Sequence, residues 1–511
     1  MDEATIAHNL TRFLLVLCIS LAVATLPRVF GWFRQVPYTL MLVIVGLGLA
    51  FIDVRFVELS PSLILMIFLP PLLFEAAWNL QWSELKRQLL PVTLFAVLGV
   101  VVSVGGIAIG LHQLAGLSLA TALLVGACLS ATDPVSVVAL FRELKVDKRL
   151  STFMEGESLF NDGMAVVAFS FLVSFAIGKN PLAVQPILVQ FLSVVGIGIG
   201  VGLLIGFAIS YLTQRFDLPL VEQSLTLVSA YGAYLLAEEL GGSGVMATVT
   251  TGLILGNFGS RIGMNPRTRV IVSEFWEFLA FLVNSIVFLL IGDQVRFEVL
   301  DDNLGAIAIT VVTMIVSRAI FIYSLGWLSN WVAKTDLSAA EQTVLWWGGL
   351  RGSVSIALAL SVPILLPEQP KVIAIVFGSV LFTLLVQGLS IKPLLSQLNL
   401  LGDQVTREQY MTAIARQVAL NRVLQHLTET EVRPGVEPEF YAYQTSLVKG
   451  ELDSIRAEID KLDDEYPNLR EFAAQQLRQE LLAIEASTYA EFVQAGRLSK
   501  ELAPLLEHLD D

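Results

Sequence analysis

Long apolar blocks, almost free of charged residues, fill the first 400 positions of this 511-residue chain. A helix needs about 20 apolar residues to cross the hydrocarbon core of a bilayer, and many of the blocks approach or exceed that length. Only 15% of the residues are charged, whereas soluble domains carry about 25%. Backbone groups in lipid must be satisfied within a helix or a closed barrel. The pattern therefore predicts an all-α polytopic membrane protein.

The blocks predict about thirteen transmembrane helices. The predicted spans are residues 10–27, 36–52, 61–80, 90–111, 118–141, 151–178, 186–212, 219–238, 241–258, 273–292, 303–332, 340–366 and 371–397. Every second connection holds most of the basic residues: Arg28, Arg34, Lys86, Arg87, Arg142, Lys145, Lys148, Arg149, Arg215, Arg261, Arg267, Arg269 and Lys334. The alternate connections hold Arg55, Lys179, Arg296 and Lys371. By the positive-inside rule the N-terminus lies outside and the C-terminal tail lies in the cytoplasm, and we expect the cell membrane as the location.

The composition changes at about residue 400, because residues 401–511 are hydrophilic and carry most of the net charge of −14. Apolar residues such as Ile455 and Ile459 recur there at helical spacing. We predict a transmembrane domain over 1–400 and an acidic, helical cytoplasmic tail over 401–511. The tail is either regulatory, with an unknown partner, or a solvated appendage. The acidic balance gives no reason to expect a nucleic-acid partner.

Six charged residues are the clear cases of charge deep inside the predicted spans, where charges are rare, costly and usually functional. They are Glu75, Asp133, Glu157, Asp162, Arg318 and Arg351. Together they predict one buried polar site. The alternative is that each acid is simply paired or hydrogen-bonded within the bundle.

The run EGESLFNDG at 155–163 is the strongest of the polar stretches. Glu157 and Asp162 are five residues apart and point to different faces of a helix, whereas Ser158 and Asp162 are four apart and share one face. Burial of a carboxylate favours its protonated form, and carboxylate oxygens also bind hard cations. One carboxylate that holds either a proton or a cation is the minimal machinery of exchange.

Two predicted spans contain residues that disrupt a helix. Pro134, in the run SATDP, lacks a backbone donor and clashes with the preceding turn. The run WWGGLRGS at 346–353 contains three glycines within five residues. Irregular backbone at membrane depth is tolerated only where it is buried in protein or lines a cavity. Carbonyls freed at the first break, with Thr132 and Asp133, complete a candidate cation site, and Arg351 in the second break needs an anion.

The positions of the breaks predict an inverted repeat. If spans one to six and eight to thirteen are two six-helix halves, each break lies in the fifth span of its half, and an offset of seven spans reverses the direction. Paired, interrupted spans at matching positions indicate a transporter's midplane binding site. Span seven contains Gly198, Gly202 and Gly206, which predict close packing against a neighbouring helix.

Four runs resemble motifs of the cation–proton antiporter superfamily, specifically of the sodium/proton exchangers that have an Asn-Asp pair. They are LPPLLFE at 69–75, ATDPV at 131–135, GESLFNDG at 156–163 and GLRGSVS at 349–355. The resemblance covers most of 1–400. It implies a homodimer in membrane lipid, with a dimerisation domain and a mobile core of crossed, broken helices. It also implies a transporter that needs no cofactor and exchanges Na⁺, or Li⁺ or K⁺, for H⁺ by alternating access.

The resemblance also implies roles for individual residues. Asp162 would alternate between cation and proton, and the remaining ion ligands would be Asp133, Thr132, Ser158 and, through water, Glu75. Glu157 and Arg351 would form a structural ion pair. Asn161 stands where electrogenic relatives have a second aspartate, which implies electroneutral exchange of one cation for one proton.

Other functional classes fit the sequence less well. An intramembrane aspartyl protease typically has its second aspartate in a GxGD context, whereas the candidate aspartates here stand in ATDP, NDG and IGDQ. A channel would need a repeated selectivity loop, and a symporter for an organic solute would need polar or aromatic groups around the break. The sequence leaves the cation open among sodium, lithium, potassium and calcium.

Overall fold

The computed structural model describes most of the chain. The described residues are 3–29, 36–52, 60–133, 137–138, 141, 146, 148–178, 184–215, 218–260, 263–333, 337–398, 400, 404–429, 438–465 and isolated positions between 477 and 492. All regular secondary structure in these ranges is helical, so the predicted all-α class is confirmed.

The helices are numbered here in chain order. They are α1 (Glu3–Val29), α2 (Tyr38–Phe51), α3 (Leu69–Asn79), α4 (Trp82–Leu114), α5 (Leu119–Cys128), α6 (Lys148–Ala176), α7 (Val184–Thr213), α8 (Pro219–Glu239), α9 (Gly244–Ile254), α10 (Pro266–Asp293), α11 (Phe297–Asp301), α12 (Leu304–Ala333), α13 (Ala339–Trp347), α14 (Ser353–Leu360), α15 (Gln369–Phe382), α16 (Gly388–Gln397), α17 (Gln404–Glu429) and α18 (Pro438–Glu465). Single π-helical segments precede α3 (Leu63–Phe68) and follow α9 (Leu255–Gly259) and α15 (Thr383–Gln387).

Helices overlap each of the thirteen predicted spans. Within the described ranges six helical segments are long and apolar enough to cross a membrane on their own, and the total number of crossings stays a prediction. Several basic residues that define the predicted orientation lie outside the described residues: Arg34, Arg55, Arg142, Lys145, Lys179, Arg261 and Lys334. The orientation of the termini also stays a prediction.

Both predicted helix interruptions are present. The fifth span is helical up to Cys128 and has no helix at 131–133; Pro134, which was expected to cause the break, lies outside the described residues. The twelfth span is divided into α13, which ends at Trp347, and α14, which begins at Ser353. The inverted relation between the two halves stays a prediction.

The helices of residues 1–400 pack as two groups. The first, called here the α4 group, contains α4, α5, α6 and α12 to α16; the second, the α9 group, contains α1, α2, α3 and α7 to α10. The main contacts between the groups are those of α6 with α3, α7 and α9, and those of α14 with α10 and the π-helical segment before α3. The seam between the groups is therefore thinly packed compared with either interior.

By its contacts the chain divides into two compact units, Met1–Leu400 and Leu401–Asp511. In the second unit α17 and α18 pack against each other through an apolar cluster of Tyr410, Ile414, Ile459 and Leu462. The amphipathic spacing seen in the tail sequence thus serves helix pairing within that unit.

The predicted glycine ridge on α7 is confirmed as a packing surface. A methyl group added at Gly202 would lie 2.6 Å from the carbonyl oxygen of Ala247 and 2.6 Å from Thr250 Cβ on α9. Gly198 and Gly206 are similarly close to α9. Small residues there let the two backbones approach, as is common between membrane helices.

We expect Gly202→Ala to lower the thermal unfolding temperature of the detergent-purified protein, because overpacking a close contact costs about 1–3 kcal/mol. Gly200→Ala is the matched control, since its added methyl has no heavy atom within 4 Å. Scanning fluorimetry of the two variants checks the expectation. Equal unfolding temperatures would contradict the close packing of α7 on α9.

Candidate functional site

The two interrupted segments cross each other. The backbone N–H of Asp133 donates to the carbonyl of Leu350 at 2.8 Å. Arg351 Nη1 donates to the carbonyls of Ser130 at 2.8 Å and Ala131 at 2.9 Å. Carbonyls beyond a helix C-terminus lack helical partners, and a cation there is also favoured by the helix dipole. Each interrupted segment thus forms hydrogen bonds with backbone groups that the other segment leaves without helical partners.

The crossing brings Gly352 against Asp133. A methyl group at Gly352 would overlap the Asp133 carboxylate, including Oδ2 and Cγ. Only glycine allows this approach. The N–H of Arg351 donates to Thr383 Oγ1 at 3.1 Å, so the π-helical segment after α15 also fixes the second break.

Helix α6 holds the first break from the opposite side. Ser158 Oγ donates to the carbonyl of Thr132, and Asn161 Nδ2 donates to Thr132 Oγ1 at 3.2 Å. All three residues are buried. The conformation of residues 131–133 is therefore determined by side chains of α6 together with Arg351.

Asp162 lies one turn beyond Ser158 on α6, with 8% of its surface exposed. Its Oδ1 atom is buried and has no hydrogen-bond partner among the described residues. Asp162 lines a cavity of about 70 Å³ whose walls come from α3, α6, α10 and the two breaks. A volume of that size accommodates a cation with a small number of waters, since one water occupies about 30 Å³ in the liquid.

The cavity contains four of the five predicted ion ligands. Asp162, Asp133, Thr132 and Ser158 all line it. These residues present carboxylate, hydroxyl and carbonyl oxygens, which are the ligands that hard cations prefer. Among the described residues no group of three or more His, Cys, Asp or Glu side chains forms a candidate metal centre, so any cation here would rest on mixed oxygen ligands.

Glu75 lies elsewhere. It lines a second cavity of about 370 Å³, and Asn79 Nδ2 donates to its Oε1 at 2.5 Å. Glu277 also lines this second cavity, and Glu155 lines both cavities. Glu75 and Asp162 thus line different cavities that share Glu155, because α3 presents only its apolar face to the first. The contribution of Glu75 through water stays a prediction.

Among the described residues the ion-pair partner of Glu157 is Arg318 and not Arg351, the partner that the resemblance implied. Glu157 Oε2 lies 3.5 Å from Arg318 Nη2, and both side chains are almost fully buried. Arg318 further donates to the carbonyl of Leu345 at 3.0 Å, near the C-terminus of α13. Arg351 Nη1 instead donates to the carbonyls of the first break, and its Nε and Nη2 have no hydrogen-bond partner among the described residues. The sequence had marked Arg318 as an intramembrane charge, but only the tertiary structure gives its partner.

Several lining residues were not predicted. They are Glu155, Asn284, Ser353 and Ser355. Glu155 stands in the EGESLFNDG run, and Asn284 is a polar residue within the apolar run of α10. Both signals were visible in the sequence, but neither indicates which cavity the side chain faces.

Comparisons with known proteins identify relatives of this chain. A family model described as "Sodium/hydrogen exchanger, transmembrane" matches residues 17–397. The chain is 59% identical over 510 residues to the Na⁺/H⁺ antiporter ApNhaP of Aphanothece halophytica, covering 100% of this chain and 98% of that one. It is 55% identical over 513 residues to the low-affinity Na⁺/H⁺ antiporter NhaS1 of Synechocystis sp., covering 100% and 97%. The solved structure of the sodium proton antiporter MjNhaP1 from Methanocaldococcus jannaschii has a similar fold, with a TM-score of 0.62, 20% identity and coverage of 78% of this chain and 99% of that one.

We expect Glu157→Gln to lower the unfolding temperature strongly, because it leaves the Arg318 charge buried and unpaired; removing one partner of a buried pair typically costs about 3–5 kcal/mol. Adding Arg318→Gln should recover part of the loss. The matched control adds Arg351→Gln to Glu157→Gln and should recover nothing. Greater recovery with Arg351→Gln, measured by the same thermal scan, would restore the pairing predicted from sequence.

Proposed function

The chain belongs to the sodium/hydrogen exchanger family, and is thus an integral membrane transporter rather than an enzyme; we propose that it exchanges one Na⁺ for one H⁺ across the membrane. The observation that carries the proposal is the buried Oδ1 of Asp162, which has no hydrogen-bond partner among the described residues and borders a cavity at the crossing of two broken helices. Both relatives compared above are named Na⁺/H⁺ antiporters.

A single carboxylate can couple two ions because its charge is costly to bury. An ionised carboxylate in a low-dielectric site needs a counter-charge or a proton. A cation bound at Asp162 satisfies this need, and so does a proton on the same group. Once either ion has neutralised the carboxylate, the electrostatic attraction for the other ion is lost. The two ions therefore compete for one site.

The remaining ligands are proposed from their positions. Asp133 adds a second carboxylate at the cavity wall, beside Gly352. Thr132 accepts hydrogen bonds from α6 through both its carbonyl and its hydroxyl, and each of these oxygens has a further lone pair for a cation. Any movement of α6 would therefore move the acid and the Thr132 ligands together.

The second cavity supplies a route to the site. Glu75, Glu155 and Glu277 line it together with uncharged polar groups, and Glu155 also borders the first cavity. A row of acids raises the local concentration of cations. By the predicted orientation this cavity opens towards the cytoplasm, since it lies near the C-terminus of α3 and the N-terminus of α6.

Alternating access is proposed to use the seam between the α4 and α9 groups. The acids of the site lie on the α4 group, at α6 and the first break, whereas α3 and α10 of the α9 group form the opposite wall. Few contacts cross that seam compared with the group interiors. Movement of one group against the other would open the cavity to alternate sides. We further propose a homodimer in the cell membrane, with the tail in the cytoplasm.

Two features support electroneutral exchange. Asn161 donates to Thr132 rather than to Asp162, so it helps fix the break and adds no titrating group. Glu75, the alternative candidate for a second proton site, lies in the separate cavity. Of the three acids on the wall of the first cavity, Asp133, Glu155 and Asp162, we assign the alternation between proton and cation to Asp162 alone, so that one cation replaces one proton.

We expect Asp162→Asn to abolish cation-driven proton movement in proteoliposomes, because the amide can neither take up a proton nor neutralise a cation. Asp133→Asn should weaken the apparent cation affinity while leaving some exchange. Asp302→Asn, an exposed acid just after α11, is the matched control and should exchange normally. Unimpaired exchange by the folded Asp162→Asn protein would refute the assignment.

We expect the flux to vanish when the sodium gradient equals the proton gradient, at any membrane potential. A net transported charge would shift this reversal point, since 100 mV contributes about 2.3 kcal/mol per charge. The measurement uses proteoliposomes with potentials clamped by valinomycin at several potassium gradients. A reversal point that moves with voltage would exclude one-for-one exchange without excluding antiport itself.

A further inference from the structure

A basic cavity lies at the N-terminus of α4 and shares no lining residue with the Asp162 cavity. It has a volume of about 590 Å³ and is lined by Trp82, Ser83, Lys86, Arg87, Asn257 and Phe258. Lys86 and Arg87 are both exposed and form no ion pair with any described residue. The nearest acid in the sequence, Glu84, is not part of the lining. Two basic side chains therefore face the same open space without a counter-charge from the part of the chain that the structure describes.

The floor of this cavity is fixed by hydrogen bonds of Asn257. Its Oδ1 accepts from the backbone N–H of Trp82 at 2.8 Å, and its Nδ2 donates to the carbonyl of Leu80 at 2.8 Å. Asn257 belongs to the π-helical segment after α9. The cavity thus has a defined shape and joins the α4 group to the α9 group.

An exposed apolar surface leads away from the cations along α4. Leu90, Leu94, Leu98 and Val101 are all exposed, with Leu90 at 57% and Val101 at 63%. Residues three and four apart share a helix face, so this stripe continues from Lys86 and Arg87 towards the middle of the helix. In a membrane-spanning helix such a face contacts lipid chains.

Aromatic side chains border the opposite side. Phe258 lines the cavity, and its ring lies 5.5 Å from that of Phe207 on α7 in an edge-on arrangement. Trp82 is 44% exposed at the mouth. Tryptophan is enriched at the level of lipid headgroups, which fits a cavity at the membrane–water boundary.

We propose that this cavity binds one anionic phospholipid. Lys86 and Arg87 recognise the phosphate of a headgroup that carries a net negative charge. An acyl chain lies along the Leu90–Val101 face. Charge complementarity selects an anionic lipid over a zwitterionic one, and the exposed apolar stripe selects a lipid over a free phosphate. The charge bias of the sequence places this end of α4 in the cytoplasmic leaflet. Because the cavity spans the seam between the two helix groups, an occupying lipid contacts both.

Lipid binding to the full-length protein in detergent tests the proposal, with native mass spectrometry as the readout. We expect phosphatidylglycerol to bind more tightly than phosphatidylcholine of the same chains. Lys86→Gln/Arg87→Gln should weaken phosphatidylglycerol binding about thirtyfold, because each basic residue near an anionic headgroup contributes about fivefold. Arg267→Gln/Lys392→Gln, which removes two charges at other predicted cytoplasmic ends, should leave the affinity of this site unchanged.

Three results would overturn the proposal. The first is equal affinity for phosphatidylglycerol and phosphatidylcholine, and the second is an equal loss of phosphatidylglycerol affinity in the two double variants. The third is competition by glycerol phosphate as effective as that by phosphatidylglycerol, which would mean that the site binds a free anion. A thermal scan of Lys86→Gln/Arg87→Gln ensures that lost binding is not lost folding. The experiment measures lipid binding and not transport, so its result leaves the antiport assignment unchanged whether the lipid proposal succeeds or fails.

Discussion

The guanidinium of Arg351 organises the centre of this protein. Two stretches of backbone leave the helical conformation within an apolar bundle, and an unsatisfied carbonyl in such surroundings costs several kcal/mol. Arg351 satisfies two of these carbonyls, from Ser130 and Ala131, and the Asp133–Leu350 hydrogen bond joins the same two segments. Neither break would be tolerated alone, because each provides the donors or acceptors that the other lacks.

The chemistry of the site follows from which groups this crossing leaves without partners. Thr132 is bound by Ser158 and Asn161, and Glu157 is paired with Arg318. Asp162 Oδ1 remains without a hydrogen bond in the described structure. Asn161 Oδ1, Glu157 Oε1 and two nitrogens of Arg351 are also buried without a hydrogen-bond partner among the described residues. Of the two carboxylates in this set, Asp162 borders the cavity and Glu157 does not, so Asp162 Oδ1 is the oxygen proposed for the transported ion.

The seam between the two helix groups concentrates the functional features of residues 1–400. The Asp162 cavity lies on it, with the acids on one group and the apolar face of α3 on the other. The acidic cavity of Glu75, Glu155 and Glu277 borders that site through Glu155, whereas the basic cavity of Lys86 and Arg87 shares no lining residue with it. The acidic cavity therefore suits cations, and the basic cavity suits the anionic headgroups proposed above.

Much of this protein was determined by its sequence alone. Apolar blocks long enough to cross a bilayer leave only the helical class, and the glycines at 348–352 allowed no continuous twelfth helix, because both effects act locally along the chain. The spacing of Ser158 and Asp162 likewise placed them on one face of α6.

Partners across helices were decided only by the tertiary structure: Arg318 rather than Arg351 pairs with Glu157, and Glu75 lies in a cavity apart from Asp162. Helical periodicity defines which face a side chain occupies, whereas the neighbour opposite that face depends on how helices distant in sequence pack.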